Sequence, residues 1–411
     1  MEQTFVYFQP ENINKFRCDG QSCQGHCCKY WGIDIDKATY KKYTAIKPKS
    51  KAQEITQKIQ FNEEKKQYLV QLNGNHFCPF LTEDNWCKIQ RKYGADFLSN
   101  TCMTYPRKTF RIGDFYERSL SLTCPVAADL ILNSTDPMIF EQTEVSEKEY
   151  FNSCRDMVRM TDIPADLLKY VFNVQYAAIS ILQERSLTID QRLIVVGYFC
   201  DQLEDLISSN KNQDIETLSL IYTSEDFIKT QVPQLIKSIE FNVRDFIRIM
   251  FDIFVMLYGD SNYRKLDAQV YLNYIAKALE VKVDKDGTAS IDELVKNYSK
   301  HNSINDELMT KYAHILENYL VHEFFYCLYP WHVKGSVTFN YIIYLLTYKI
   351  LEFIIFSMFV VKSSITSKEI IKCISWFVER IDHNSTYIDS ISKGLQKDQD
   401  IVGVMRSLLK G

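Results

Sequence analysis

Glycine and proline are scarce in this chain of 411 residues, with 13 and 9 of them beside 26 tyrosines and 25 phenylalanines. So few backbone breakers exclude a collagen-like or low-complexity chain and favour helices packed over aromatic side chains. No GxGxxG or GxGxG loop occurs, so a doubly wound nucleotide-binding domain has no support. Neither sign of charge dominates. The 48 Lys and Arg stand against 52 Asp and Glu, a net charge of −4, which argues against a general nucleic-acid binder. No apolar leader follows Met1-Glu2-Gln3, so the expectation is a chain that stays in the reducing cytoplasm. No fixed-period repeat marks a solenoid.

Against these shortages stands one excess. The chain has 12 cysteines, and eight fall in its first 125 residues: Cys18, Cys23, Cys27, Cys28, Cys78, Cys87, Cys102 and Cys124. The run FRCDGQSCQGHCCKYW, Phe16 to Trp31, carries four of them, and CPFLTEDNWC, TCMTYPR and SLTCP carry the others. Thiolates bind zinc or cluster iron, and ligands from separate loops can meet in one site. Gly20 and Gly25 allow the tight turns that aim neighbouring sulfurs at one centre. In a reducing compartment such clustering points to metal rather than to disulfides. Its company of glycine and proline argues against merely buried, apolar cysteines.

Four thiolates satisfy one tetrahedral zinc or one [4Fe–4S] cluster. Eight suit two zinc ions, two clusters, or one cluster with four supporting thiols. Cys27 and Cys28 are adjacent and project in different directions, so each is open to a different centre. His26 is a further candidate ligand, or a solvent-facing side chain. The cysteine, three residues, cysteine, two residues, cysteine spacing of radical enzymes is missing. Cys23 and Cys27 supply the first gap, but Tyr30 stands where the third cysteine belongs.

The length allows two or three separate cores. Residues 1–125 hold 19 Lys and Arg against 13 Asp and Glu, and the remainder holds 29 against 39. A basic excess around the cysteines would offset the charge of a thiolate-ligated centre, or serve as a weak patch for an anionic partner. The expected architecture is mainly α. A small loop-rich cysteine domain with a short β-hairpin spans 1–125, and a larger irregular α-helical domain spans 126–411.

Within the first domain, residues 1–15 read as a lead-in, and Pro10 is expected to end whatever short structure they make. Ile33 and Ile35 alternate with Asp34 and Asp36, which predicts a short strand, and Asp36 then caps a helix through Tyr40 and Tyr43. Lys47 to Lys66 is an exposed connector or charged helix. A further helix is expected from near Cys87 to near Gly94. Residues 107–123 alternate around Gly113-Asp114 and predict a hairpin. A domain so rich in loops is expected to need its metal centre to hold its shape.

Beyond residue 126 a helix is expected over Val126 to Asn133, with a break at Ser134–Pro137. Helices follow over 164–185, 188–209, 213–230, 233–258, 265–280, 304–329, 338–362, 367–381 and 386–409. Ile247, Met250, Phe251, Phe254 and Leu257 show the three-and-four spacing behind these assignments. Phe339 to Val361 is apolar enough to raise a membrane question, but Lys349 and Glu352 sit in its middle, on one helix face. A buried or interface helix is the better reading; peripheral membrane association and self-association stay open.

Three smaller signals have bland readings. Asp284, Asp286, Gly287 and Glu293 resemble half a calcium loop, but Lys282 and Ala289 occupy positions that need other residues, so a turn before a helix is expected. Cys154, Cys200, Cys327 and Cys373 fall in helical segments and read as core. Tyr105 and Arg107, beside Cys102, are candidates to bind an anionic group of a cofactor, or structural neighbours of the centre.

Three segments, FRCDGQSCQGHCCKYWGIDIDKATYKKY, CPFLTEDNWCKIQRKYGADFLSNTCMTYPR and RSLSLTCPVAADLIL, with YLVHEFFYCLYPW at 319–331, carry a resemblance. The sequence resembles the bacterial flagellin lysine-N-methylases and, more distantly, small cysteine-rich proteins described as zinc- or iron-chelating. These segments frame residues 16–132 and one later helix. The resemblance implies a cytoplasmic enzyme that moves a methyl group from S-adenosylmethionine to lysine ε-amino groups of flagellin. It also implies an oxygen-sensitive [4Fe–4S] cluster drawn from the eight cysteines, with the choice of four undecided. Lysine nitrogen is a good nucleophile once deprotonated, so a polar transfer needs no iron. The cluster would then bind the donor's amino and carboxyl groups, support a radical route, or hold the fold. The alternative is a non-enzymatic zinc- or iron-binding interaction protein, with a structural cysteine domain and a helical domain that grips a partner.

Overall fold

Thr4–Pro10, in the stretch expected to be a lead-in, is strand β1, in the interior of a five-stranded sheet. The computed structural model describes residues 4–18, 23, 26–29, 32–64, 66–146, 158–259, 266–283, 289–382 and 400–411. They form two compact units, residues 1–131 with 138–161, and residues 132–137 with 162–411. Helices dominate among the described residues, as the composition predicts.

The first unit contains two sheets. Strands β2 (Asp34–Ile35), β3 (Ile59–Asn62) and β4 (Gln67–Val70) form an antiparallel three-stranded sheet in the order β2-β4-β3. Strands β5 (Arg107–Ile112) and β6 (Phe115–Leu120) are the predicted hairpin, and Gly113, with φ of 60°, supplies the turn that residues with a Cβ adopt at a cost. With β7 (Phe140–Ser146) and β8 (Val158–Met160) they complete the larger sheet, in the order β7-β1-β6-β5-β8. β1 runs parallel to β6, with Val6 opposite Phe115, and antiparallel to β7.

Short helices link these strands: α1 (Lys37–Thr44), α2 (Lys49–Thr56), α3 (Lys88–Tyr93), α4 (Asn100–Thr104) and α5 (Pro125–Leu132). Asp36 caps α1, as expected, and accepts from the Thr39 backbone N–H at 2.9 Å. α3 lies between Cys87 and Gly94, also as expected. The polar stretch from Lys47, expected to be a connector or charged helix, is helix α2 followed by strand β3.

The second unit is helical. Its helices are α6 (Val171–Leu182), α7 (Ile189–Ser208), α8 (Ile215–Tyr222), α9 (Glu225–Thr230), α10 (Val232–Lys237) and α11 (Val243–Gly259). They continue with α12 (Leu266–Ala278), α13 (Ile291–Ser299), α14 (Asn302–Lys311), α15 (Ala313–Tyr326), α16 (Val337–Lys362), α17 (Ser367–Asp382) and α18 (Ile401–Leu408). The helix expected over 213–230 is two, because Ser224 caps a new start by accepting from the Phe227 N–H. Cys154, the calcium-loop residues Asp284, Asp286 and Gly287, and much of the helix expected over 386–409 lie outside the described residues.

Helix α16 is the centre of this unit. By length and composition it is apolar enough to cross a membrane, yet 94% of its apolar window is buried inside the protein, the signature of a core helix. Its two central charges are paired. Lys349 Nζ lies 3.0 Å from Asp190 Oδ1, at the start of α7, and 2.6 Å from Glu352 Oε2 one turn on. A second buried carboxylate, Glu317 on α15, meets Arg192 at 2.7 Å and Arg185 at 2.8 Å. Cys200, Cys327 and Cys373 are buried here, as predicted for core cysteines.

Candidate metal centre

Five of the eight predicted cysteines share one core. Cys28 and Cys78 are buried in it, and Cys27, Cys87 and Cys102 pack against it, with Ile33, Ile35, Tyr43 and Phe80 among its walls. The chain reaches this arrangement through local backbone bonds. The Cys78 N–H donates to the Cys28 carbonyl at 2.7 Å, and a bridge between Lys29 and Phe77 fastens the same two loops. A tight reversal through Asn85, bridged between Leu81 and Cys87, returns Cys87 to the core at the start of α3. Ser99 caps α4 by accepting from the Cys102 N–H at 3.2 Å, which sets the position of Cys102.

The electrostatics of this core disfavour bare thiolates. Cys27 and Cys28 have their sulfurs 4.0 Å apart. Hydrogen bonding with Cys27 and Cys78, then burial, pushes the Cys28 thiol up, while the bond from Cys28 draws Cys78 down. Burial raises Cys87 and pushes Cys102 up to about 12, against the pull of Ser99. Tyr43, which donates to the Phe97 carbonyl at 2.7 Å, is raised by burial and then by the charges of Cys102 and Cys87. A cation among these sulfurs removes the conflict by neutralising their charge.

The other three cysteines are not members of that apolar core. Cys18 is exposed, Cys23 is half-buried, and Cys124 is buried where α5 begins. Burial pushes Cys124 up to about 11, and the charges of Cys23 and Cys27 add to it. Tyr105 pairs its hydroxyl with Thr123 Oγ1 at 3.1 Å, and the Arg107 guanidinium lies 5.2 Å from the Phe16 ring centre.

The donor chemistry fits a thiolate-ligated centre: five sulfurs, apolar walls and a surplus over the four that one zinc or one [4Fe–4S] cluster takes. The fit is one of residue type. Among the described residues no group of three or more His, Cys, Asp or Glu stands placed to hold a single metal ion.

In the helical unit the sequence reading passed over two ionisable side chains. His322 and Glu323 are buried on α15, with His322 Nδ1 3.3 Å from Glu323 Oε1. Cys327, one turn on, donates its thiol proton toward Glu323 Oε2 at 3.4 Å. Their signal in the sequence was an adjacent His-Glu pair flanked by the apolar and aromatic residues Leu320, Val321, Phe324 and Phe325.

A chain that carries both a thiol-rich unit and an aromatic helical unit falls in a class of cysteine-cluster proteins, and the comparisons narrow it. A family model described as the FliB lysine N-methylase C-terminal domain matches residues 175–409, more than half of the chain. The chain belongs to the FliB lysine N-methylase family. It is 32% identical over 153 residues to the lysine-N-methylase of Salmonella typhimurium, covering 34% of this chain and 36% of that protein. It is 35% identical over 141 residues to the flagellar biosynthetic protein FliU of Salmonella muenchen, covering 32% of this chain and 79% of that protein. The chain thus spans about a third of the length of the curated lysine-N-methylases it matches, 36% in each case. No solved structure matches significantly.

Proposed function

We propose that this protein is a protein-lysine N-methyltransferase that moves a methyl group from S-adenosylmethionine to lysine ε-amino groups of flagellin or a related surface protein. The match of residues 175–409 to the lysine N-methylase family carries the reading. The names of the matched relatives, one of them flagellar, support the choice of amine and of target. In the transfer the lysine nitrogen forms its bond to the methyl carbon as the carbon–sulfur bond of the donor breaks. Sulfur keeps that electron pair, and the nitrogen gives up a proton.

The proposal includes a [4Fe–4S] cluster in the first unit, drawn from Cys27, Cys28, Cys78, Cys87 and Cys102. Such a centre, when bound, supplies a site for a donor's amino and carboxyl groups or an electron. The protein's own part is to hold the sulfurs within apolar walls that limit water, and the basic surplus of this region balances their charge.

The test is incubation of anaerobically purified protein with S-adenosylmethionine and flagellin, followed by intact-mass measurement. Mass gain in steps of one methyl on lysine is expected. Unchanged flagellin, with metal retained and no thermal stabilisation by the donor, would favour a non-enzymatic metal-binding interaction protein instead.

A further inference from the structure

Among the described residues three buried carboxylates lie in the helical unit: Glu317, Glu323 and Glu352. Two of them are matched by strong cations. Glu317 has Arg192 and Arg185, and Glu352 has Lys349. Glu323 differs: among the described residues its partners are the Cys327 thiol and the His322 imidazole, which is a cation only when protonated. A buried carboxylate without a permanent positive partner is costly, and such groups concentrate where a ligand supplies the missing charge.

The surroundings of Glu323 are aromatic. Tyr326 stacks on His322 at 5.1 Å, and Tyr329 lies 5.0 Å from Tyr344, whose hydroxyl is raised by burial and then by the charge of Glu323. Beyond them the chain turns from α15 into α16 through Trp331, half-buried, whose indole N–H finds no acceptor. The next residues, Lys334 to Ser336, are exposed. Aromatic faces with a carboxylate are the chemistry that recognises alkylated ammonium groups.

We propose that Glu323, set beside His322 on which Tyr326 stacks and near the packed pair Tyr329 and Tyr344, is the subsite for the ε-ammonium group of an acceptor lysine and of its methylated products. The identity of the ligand rests on the methyltransferase reading above; the demand for a cation rests on Glu323 itself. The carboxylate holds the ammonium and the rings face its methyl groups, so successive methylation keeps the ligand bound while its charge persists.

The experiment uses the full chain and Nα-acetyl-Nε,Nε-dimethyl-lysine amide as probe, followed by Trp331 fluorescence and saturation-transfer NMR. Binding is expected, with transfer between the probe's N-methyl groups and aromatic ring protons. Glu323→Gln is expected to weaken it about tenfold or more, a loss of about 1.4 kcal/mol or more. Glu317→Gln, which alters a carboxylate already matched by arginine, is expected to leave the affinity within about twofold. Should Glu323→Gln fail to fold, the wild-type NMR transfer decides. No aromatic transfer, or equal affinity in Glu323→Gln and wild type, overturns the subsite. Amine binding without methyl transfer to any protein would keep the subsite and remove the reaction, whereas lysine methylation with no dependence on Glu323 would do the reverse.

Discussion

Asp36 Oδ2 accepts a hydrogen bond from the Asn100 backbone N–H at 3.0 Å, so one carboxylate caps α1 and also holds the start of α4. α4 carries Cys102, and the tie is therefore part of how the cysteine core is assembled. Asp36→Ala is expected to cost about 1–2 kcal/mol, the range for loss of a helix cap, and Asp36→Asn less. Urea unfolding of the variants measures this. Burial raises the Asp36 carboxyl, but the N–H groups of Asn100 and Thr39 outweigh it and hold it below the usual range. Its contribution is therefore complete above the unfolded value of about 3.9 and is lost as pH falls through the lower folded value. Acid titration should show that loss in the wild type and a flatter curve in Asp36→Asn.

Glu317 holds two arginines, and one of them, Arg192, is 5% exposed and also donates to the carbonyls of Leu187 and Leu182. Removing the carboxylate strands a buried guanidinium. Glu317→Ala is expected to destabilise the helical unit by about 3–5 kcal/mol, the cost of breaking a buried pair from one side. Arg185→Ala, at the exposed end of the same group, should cost about 1 kcal/mol or less. Denaturant midpoints of the two variants separate these outcomes.

The signals that sequence carries well are local ones. The Gly113 hairpin, the Asp36 cap, helix α3 between Cys87 and Gly94, and helix α5 after Cys124 each follow from residues within a few positions of one another. Strand β1 did not show, because its partners are β6 and β7, with Val6 opposite Phe115 and Glu144, more than a hundred residues away. Pro10, expected to end any short element there, does end the strand, and it lies opposite Phe140 in the sheet. In the site, clustering announced the cysteines without dividing them. The division follows from which loops meet: the Cys28 and Cys78 loops are joined by a backbone bond, while Cys18 lies outside the core. Lys349 and Glu352 were legible as neighbours on one face, but Asp190, their third partner, comes from another helix.

Gly197 on α7 sits where a Cβ would lie 2.4 Å from the Met405 sulfur of α18 and 3.0 Å from the Tyr341 ring of α16. Tyr341 is held in place, since its hydroxyl donates to the Leu193 carbonyl at 2.6 Å, so Met405 must give way. Gly197→Ala gains about 1 kcal/mol of helix propensity and loses a similar amount to the clash. Gly197→Val has no such gain, and a loss of about 2–3 kcal/mol is expected from overpacking. Hydrogen exchange should then speed up in Ile401–Leu408 before it does elsewhere in the unit.

The cysteine assignment is tested by contrast between two buried or half-buried thiols. Cys27 packs against the five-sulfur core of the first unit, whereas Cys373 lies fully buried in α17, with burial alone raising its thiol. Cys27→Ala is expected to lose iron and acid-labile sulfide, and with them the hydrogen-exchange protection of the first unit. Cys373→Ala is expected to keep full metal content and to lose about 1 kcal/mol of stability from a small cavity. Chelation of the wild-type protein should reproduce the first result and leave the exchange protection of α16 unchanged. Metal and sulfide analysis after anaerobic purification is the measurement, and equal content in the two variants would remove Cys27 from the ligand set.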